Sequence, residues 1–332
     1  MSLTDSILNG DRRALARLIT QIENERPEAR PALAALHAYT SRAYLVGVTG
    51  APGTGKSTLV SEAAKAYRRL GQTVAIVAVD PTSPFTGGAI LGDRIRMRDL
   101  SGDPGVFIRS MATRGSLGGL ARATADVTAA LDAAGFNIIF IETVGAGQAE
   151  VDIAGLAHTT LVVEAPGLGD DVQAIKAGIL EIADVLVVNK ADQPGAEAAV
   201  RALRGMLTLA HPQRREFFHH HGSGVEAATP SPDGETGAAW ATPICETVAT
   251  EGKGIEELLA AVDSHRAYLA TSGEFAGRTR ARIRRHIESL LREQLYARFL
   301  NGSSATLRVG AAIEAVINRT NDPYSAVEEL LK

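Results

Sequence analysis

Cysteine and tryptophan each occur once in this chain of 332 residues, and aromatic residues make up only 5% of it. The lone Cys245 excludes an intramolecular disulfide and any metal cluster built from cysteine alone. A reducing, cytoplasmic compartment suits such a chain. An excess of one charge is also missing: 34 Lys and Arg stand against 38 Asp and Glu, a net −4. No bulk charge therefore calls for nucleic acid or an anionic membrane surface. Long apolar runs are scarce too. The stretch 133–141 contains Gly135 and Asn137 and is strand-sized, too short to span a bilayer. The opening MSLTDSILNGDRR has no cationic start followed by an apolar run, so it is not expected to act as a secretory signal. The expectation is a soluble cytoplasmic protein that engages neither membrane nor nucleic acid.

Apolar residues are plentiful, at 45%, enough for a sizeable core in one large domain or one domain with appendages. Residues 4–39 read as two helices, with apolar positions at Leu15, Leu18 and Ile19, then Leu33 and Leu36. Short apolar strands follow at 44–49, 74–80, 106–109, 138–142, 160–164 and 185–189. Helical runs separate them, notably 57–70, 117–134 and 171–182. Uninterrupted apolar strands alternating with helices predict an α/β fold: a mostly parallel sheet with helices on both faces. Ligands then bind at the carboxyl ends of the strands. From about 217 to 240 the chain, including HHHGSGVEAATPSPDGETGAA, is rich in Gly, Ser, Pro and Ala without periodicity, and reads as a flexible insertion. A strand at 242–247, a helix at 255–269, an arginine-rich helix at 276–299 and helices at 311–318 and 324–331 complete the chain. The predicted domains are an N-terminal helical extension (1–40), a nucleotide-binding domain (41–272) and a C-terminal helical arm (273–332).

The segment GVTGAPGTGKST, residues 47–58, fits the phosphate-loop pattern and sits between a predicted strand and a predicted helix. Its nucleotide-binding candidates are Gly50, Ala51, Pro52, Gly53, Thr54, Gly55, Lys56, Ser57 and Thr58. Glycines let backbone N–H groups turn toward phosphates, and the helix N-terminus adds positive potential. Lys56 is expected to reach the terminal phosphates, and the Ser57 hydroxyl to bind Mg²⁺. Ala51 stands where partition-type ATPases carry an extra lysine. VVNKAD, residues 187–192, names the base. Asn189 and Asp192 offer an amide and a carboxylate to a guanine edge, and Lys190 packs along the ring. Asp192 accepts from N–H groups that guanine has and adenine lacks, so such a site rejects adenine strongly.

Carboxylates complete the expected metal site. Asp80 ends the second strand in VDPTSP, Asp93 lies in LGDR, and Glu142 ends the strand IFIET. Magnesium takes a few carboxylates, water and phosphate oxygens. Gly145 is placed to bring a backbone N–H to the γ-phosphate, and Gln148 is the candidate to orient the attacking water. A Glu at this strand end, with a carboxylate on the neighbouring strand, separates the site from Ras-like switches. It groups it with signal-recognition, partition and metallochaperone NTPases.

The runs VDPTSPFTGGAILGDRIRM, FIRSMATRGSLGGLARAT, IETVGAGQAE and EAPGLGDDVQAIKAGILEIADVLVVNKAD together resemble the MeaB/ArgK family of P-loop GTPases. The resemblance extends from NGDRRALARLIT to DPYSAVEELL, nearly the whole chain. It implies a GTPase whose nucleotide cycle gates adenosylcobalamin loading and protects or reactivates a cobalamin-dependent acyl-CoA mutase, foremost methylmalonyl-CoA mutase. Adenosylcobalamin belongs to that partner, and an adenosyltransferase is a further candidate partner. The family's magnesium and switch residues map onto Ser57, Asp80, Asp93 and Glu142. A mobile relay loop maps onto 165–176, with Ala165, Asp170 and Lys176 in it. Family members are homodimers held by C-terminal helices, which gives the arginine-rich arm a role. Where many GTPases close the base with Ser-Ala, this chain has Val248-Ala249, and the Ala249 N–H is expected to meet the guanine O6. The insertion near 219–240 has no counterpart, and His219–His221 read as a solvated loop ahead of a metal store. Intrinsic hydrolysis is expected to be slow, since no mapped motif holds an arginine finger. The competing readings are a GTPase metallochaperone for another metalloenzyme, against which the lone cysteine speaks, and a transport-associated ArgK-type kinase or ATPase, for which no phosphoacceptor base is evident. A scaffold with a degenerate site is disfavoured by the intact Lys56, Ser57, Asp80 and Asn189.

Overall fold

The computed structural model describes residues 2–81, 97–100, 102–113, 117–143, 154–167, 181–209, 239–300 and 305–331. They divide into two compact units, Met1–Arg282 and Ile283–Lys332.

Three helices open the first unit: α1 (Leu3–Leu8), α2 (Arg12–Glu23) and α3 (Ala29–Leu36), the last running into a 3₁₀ turn at His37–Tyr39. The sequence reading has two helices here. The additional one is only 6 residues long and rests on a capping box. Ser2 Oγ accepts from the Asp5 N–H at 3.1 Å, and the Asp5 carboxylate accepts from the Ser2 N–H at 3.0 Å. Such reciprocal capping starts a helix too short to display a periodic stripe. In α2 the stripe is plain: Leu15, Leu18, Ile19 and Ile22 are buried at helical spacing.

The rest of the first unit alternates strands and helices: β1 (Tyr44–Thr49), α4 (Lys56–Arg69), β2 (Val74–Pro81), β3 (Val106–Thr113), α5 (Leu117–Ala133), β4 (Ile138–Thr143), β5 (Thr159–Glu164), β6 (Val185–Asn189), α6 (Ala196–Leu209), β7 (Ile244–Thr247) and α7 (Ile255–Thr271). The strands form one sheet in the order β3-β2-β4-β1-β5-β6-β7, parallel throughout. Alternate residues along each strand feed different cores. Leu45, Val77 and Ile139 pack with α1–α3 and α5, whereas Val46, Ile76 and Phe140 pack with α4 and α7. A third cluster joins Val162, Leu186 and Val188 to Val200 and Leu203 of α6. Both faces are therefore covered, as a parallel sheet requires. This is a P-loop NTPase architecture, with β1 at the centre and its carboxyl end flanked by those of β4 and β5.

Several boundaries move. β3 extends beyond residue 109 to Thr113, β7 begins at Ile244 instead of 242, and α6 is a helix that the sequence reading lacks. Most of the expected insertion and most of the expected helix 171–182 lie outside the described residues. Trp240, placed by composition at the end of that insertion, is packed: its Nε1 donates to the Asp184 carbonyl at 2.8 Å, and its ring lies 4.8 Å from that of His265.

Trp240 marks a buried polar junction at the amino edge of the sheet. The Asp184 carboxylate, 1% exposed, accepts from the Thr160 N–H at 2.8 Å and from both terminal nitrogens of Arg278 at 3.0 Å. Arg278 also donates to the His158 carbonyl at 2.9 Å. It belongs to the long helix α8 (Glu274–Leu300). On the other side of the unit, Asp132 of α5 accepts from three consecutive backbone N–H groups, Ser41 (2.6 Å), Arg42 (3.0 Å) and Ala43 (2.9 Å). It thereby pins the connection between the N-terminal helices and β1.

The second unit holds the remainder of α8 with α9 (Ala305–Ile317) and α10 (Pro323–Leu331). The sequence reading starts α9 at 311, six residues late. Ile283, Ile287, Leu291 and Leu295 recur every fourth residue along α8, each at least half exposed. Among the described residues no helix is long and apolar enough to cross a membrane.

Candidate functional site

The turn between β1 and α4 carries the phosphate-loop sequence and has backbone geometry that only glycine adopts without strain. Gly50 has φ +140°, and a side chain there would collide with the Val163 carbonyl of β5. Gly55 has φ +90°, and a Cβ would collide with the Asn189 amide. Both positions combine a left-handed backbone with a close approach, which removes every other residue from consideration. Lys56 and Ser57 then open α4, so the positive end of a 14-residue helix faces the loop. The Lys56 ammonium is drawn back over that loop, donating to the Gly50 carbonyl at 2.7 Å and the Ala51 carbonyl at 2.9 Å. Thr54 is fully buried, its hydroxyl on the Ala51 carbonyl at 3.0 Å. Pro52 and Gly53 are exposed, and Thr58 is half-buried.

Ser57 Oγ donates to Glu142 Oε1 at 2.6 Å, with both residues buried. Glu142, the residue before the last of β4, lies next to β1 in register with Val48, and its other neighbour strand β2 pairs with it through Ala78. Asp80 stands two residues further along β2, so both acids occupy carboxyl ends of adjacent strands. A hydroxyl and carboxylates are hard oxygen donors and fit Mg²⁺. Asp93 lies outside the described residues, as do Gly145, Gln148, Asp170 and Lys176. Ala165, directly after β5, is buried.

Asn189 at the end of β6 brings the base motif and the phosphate loop together. Its Nδ2 donates to the Thr54 carbonyl at 2.8 Å. Its Oδ1 accepts from Thr247 Oγ1 at 3.0 Å and from the Ala249 N–H at 3.2 Å. This changes two expectations. Most of the Asn189 amide is spent inside the protein, where it clips three segments together instead of simply offering itself to a base. The Ala249 N–H, expected to meet a guanine carbonyl, serves that clip. Thr247 is a site residue the sequence reading misses; its signal is a threonine ending β7, in register with Asn189. Lys190 follows with φ +58°, uncommon for a residue bearing a side chain, and its stem runs beside Gly55. The turn is held by Ala191 N–H to the Thr247 carbonyl (3.0 Å) and Gln193 N–H to the Lys190 carbonyl (2.9 Å), leaving Asp192 exposed at its tip. Val248 is buried beside Ala249.

Residues 15–304 match the sequence profile of the family described as methylmalonyl Co-A mutase-associated GTPase MeaB. The chain belongs to the MeaB family. A protein of Pyrococcus abyssi named as a GTPase is 47% identical over 330 residues, 99% of this chain and 95% of its own. The GTPase ArgK of Escherichia coli is 33% identical over 80% of this chain and 75% of its own. A crystal structure of an LAO/AO transport system kinase superposes with a TM-score of 0.68, covering 99% of this chain and 95% of that one. At 24% identity it attests the fold. Within the MeaB family frame, the phosphate loop, the Ser57–Glu142 pair and the Asn189 clip all gather at the carboxyl edge around β1.

Proposed function

We propose that this MeaB family member is a GTP-hydrolysing, Mg²⁺-dependent chaperone of a cobalamin-dependent acyl-CoA mutase, with methylmalonyl-CoA mutase as the client. The observation that carries the nucleotide assignment is the Asn189 clip. One side chain ties the phosphate loop to β6 and β7, and so brings the strand end that carries the base motif against the loop that carries Lys56. Lys56 exchanges its two loop carbonyls for terminal phosphate oxygens when the nucleotide binds, and the α4 N-terminus adds N–H donors. Ser57 and Glu142, with Asp80 and Asp93, would hold Mg²⁺, which would supply neutralising charge to the phosphates. Gln148 orients the water and Gly145 reads the γ-phosphate. The loop containing Ala165, Asp170 and Lys176 passes the nucleotide state to the client, which owns the adenosylcobalamin. The client assignment rests on the family's description as mutase-associated.

The domain reading follows: an extension over 1–40, the GTPase domain over 41–272 and an arm over 273–332 in a cytoplasmic protein. The exposed stripe Ile283, Ile287, Leu291 and Leu295 supports the arm as a homodimer surface, because a helix face of this kind seeks a second apolar face.

The test is nucleotide competition followed by turnover. Wild type binds GTP and GDP in preference to ATP, and Asp192→Asn shifts preference toward xanthine nucleotides. Purified methylmalonyl-CoA mutase raises GTP turnover several-fold. ATP preference, or unchanged selectivity in Asp192→Asn, overturns the base assignment. Flat turnover across a panel of cobalamin mutases overturns the client.

A further inference from the structure

The second unit of the chain has the ties of a folded object but almost no interior. Polar bonds fix its helical hairpin. Asp322 caps α10 by accepting from the Tyr324 and Ser325 N–H groups at 2.9 and 3.1 Å. Arg308 of α9 reaches the other end of α10 and donates to the Glu329 and Leu330 carbonyls at 2.9 and 3.0 Å. Between the helices Arg319 turns left-handed, at φ +57°, and the Thr320 N–H closes α9 on the Ala315 carbonyl at 2.9 Å. Yet Ala326 is the one buried residue among the described residues of this unit. Leu307, Ile313 and Ile317 of α9 and Tyr324, Val327 and Leu331 of α10 are 53–85% exposed.

Helices of 13 and 9 residues do not hold in water by themselves; an apolar face packed against something else holds them. Caps and carbonyl bonds select a shape, but they do not offset the chain entropy lost in adopting it. We infer that α9 and α10 fold only when a second copy of this chain covers them, so that association completes the arm instead of joining two finished arms. The inference rests on the homodimer reading above, in which the α8 stripe is the contact, and adds to it a second surface and a folding step. With that stripe, the six side chains expose on the order of 1,000 Å² of apolar surface per copy, against the ~800 Å² that each side of a stable complex buries. Monomeric proteins rarely leave so large a patch in water. A client met only at intervals cannot keep it covered, whereas another copy is present whenever the chain is made.

The competing account is a hairpin already folded in the monomer that merely docks. Light scattering for mass and amide exchange resolved along the full chain separate the two. Wild type is expected to be a dimer with α9 and α10 protected. Ile287→Glu/Leu291→Glu changes only α8 and is expected to be monomeric and to bind GTP as wild type does. Its α9 and α10 amides exchange at least about a hundredfold faster than in the dimer. Its circular dichroism loses the corresponding helix, while the emission of Trp240, which lies in the first unit, is unchanged. Ile313→Glu/Ile317→Glu is expected to be monomeric too. A monomeric Ile287→Glu/Leu291→Glu in which α9 and α10 stay protected overturns the inference and leaves the dimer standing. So does an Ile313→Glu/Ile317→Glu variant that remains dimeric, since a second copy then does not cover α9. Protection that the monomeric α8 variant regains on adding methylmalonyl-CoA mutase assigns the surface to the client and overturns the inference also. A monomeric wild type, or an Ile287→Glu/Leu291→Glu variant that remains dimeric, overturns the homodimer reading itself and the inference with it.

Discussion

Replacing Arg278 with methionine removes the cation that neutralises the most deeply buried carboxylate of the amino edge. The magnitude follows from what is left behind. The Asp184 side chain is 1% exposed and that of Arg278 10%, so water cannot substitute for the lost partner. The change deletes two charge-assisted bonds at 3.0 Å and a third, at 2.9 Å, to the His158 carbonyl. Asp184 keeps the Thr160 N–H at 2.8 Å. Stripping one partner from a buried ion pair costs about 3–5 kcal/mol, and the retained donor puts this case near the lower end. For a domain of this size that corresponds to a fall in Tm of roughly 6–12 °C. Trp240 is the only tryptophan and donates to Asp184 itself, so its emission during thermal and urea unfolding reports on this junction. Arg278→Met/Asp184→Asn keeps an acceptor for Thr160 while removing the charge, and is expected to recover at least about 1 kcal/mol relative to additivity. A single variant melting within about 1 °C of wild type, or a strictly additive double variant, refutes the reasoning.

Two further perturbations test other parts of the scaffold. Asp132→Ala orphans the N–H groups of Ser41, Arg42 and Ala43 and should cost about 2–3 kcal/mol; amide exchange at 41–43 should accelerate in step, and unchanged protection there would contradict the staple. His158 is pushed down to about 3 by burial, assisted by the positive charges of Arg282, Arg278 and Arg266. The unfolded imidazole titrates near ~6.5, so the folded chain binds the proton less readily. Its contribution to stability is complete above that pH and is lost as pH falls toward about 3, at up to ~1.4 kcal/mol per unit. His158→Asn preserves an acceptor for the Leu45 N–H, which His158 Nδ1 accepts at 3.1 Å, and cannot titrate. Its stability between pH 6.5 and 4.5 should decline less steeply than wild type, and parallel curves would rule the histidine out.

What could be read from the sequence depended on whether one residue type has one consequence. β1 and β6 keep the bounds that their mostly apolar residues predict, because both strands are buried on two faces. β3 is an edge strand, and Ile108, Arg109 and Ser110 are only half-buried, so its apolar signal fades before the strand does. The six residues of α1 form through a cap and show no period. The helix α6 does carry a stripe, Ala196, Val200 and Leu203, but the Pro194-Gly195 turn before it masks the start. The phosphate loop is legible because Gly50 and Gly55 are required by backbone geometry. The use of Asn189 is not, because an amide has several bonding positions and the sequence does not say which protein groups claim them. Thr247 and the Ala249 N–H become visible as its partners only once β6 and β7 lie side by side.

The parallel sheet assigns opposite physical tasks to its two edges. At the carboxyl edge the chain must approach a ligand closely, and it accepts left-handed backbone at Gly50, Gly55 and Lys190 to do so. At the amino edge nothing needs to move, so a charge can be buried with fixed partners around Asp184. β5 and β6 connect the two directly. Thr160 and Asp184 meet at their beginnings, while Val163 bounds Gly50 and Asn189 grips Thr54 near their ends. The register between these strands spans Leu161↔Val185 to Glu164↔Val188, a short ladder that cannot slip by one residue without turning every side chain to the wrong face. Rigid anchoring at one edge is therefore what allows the other to hold strained backbone in place, and the strain of Lys190 is sustained by ties that its own loop does not contain.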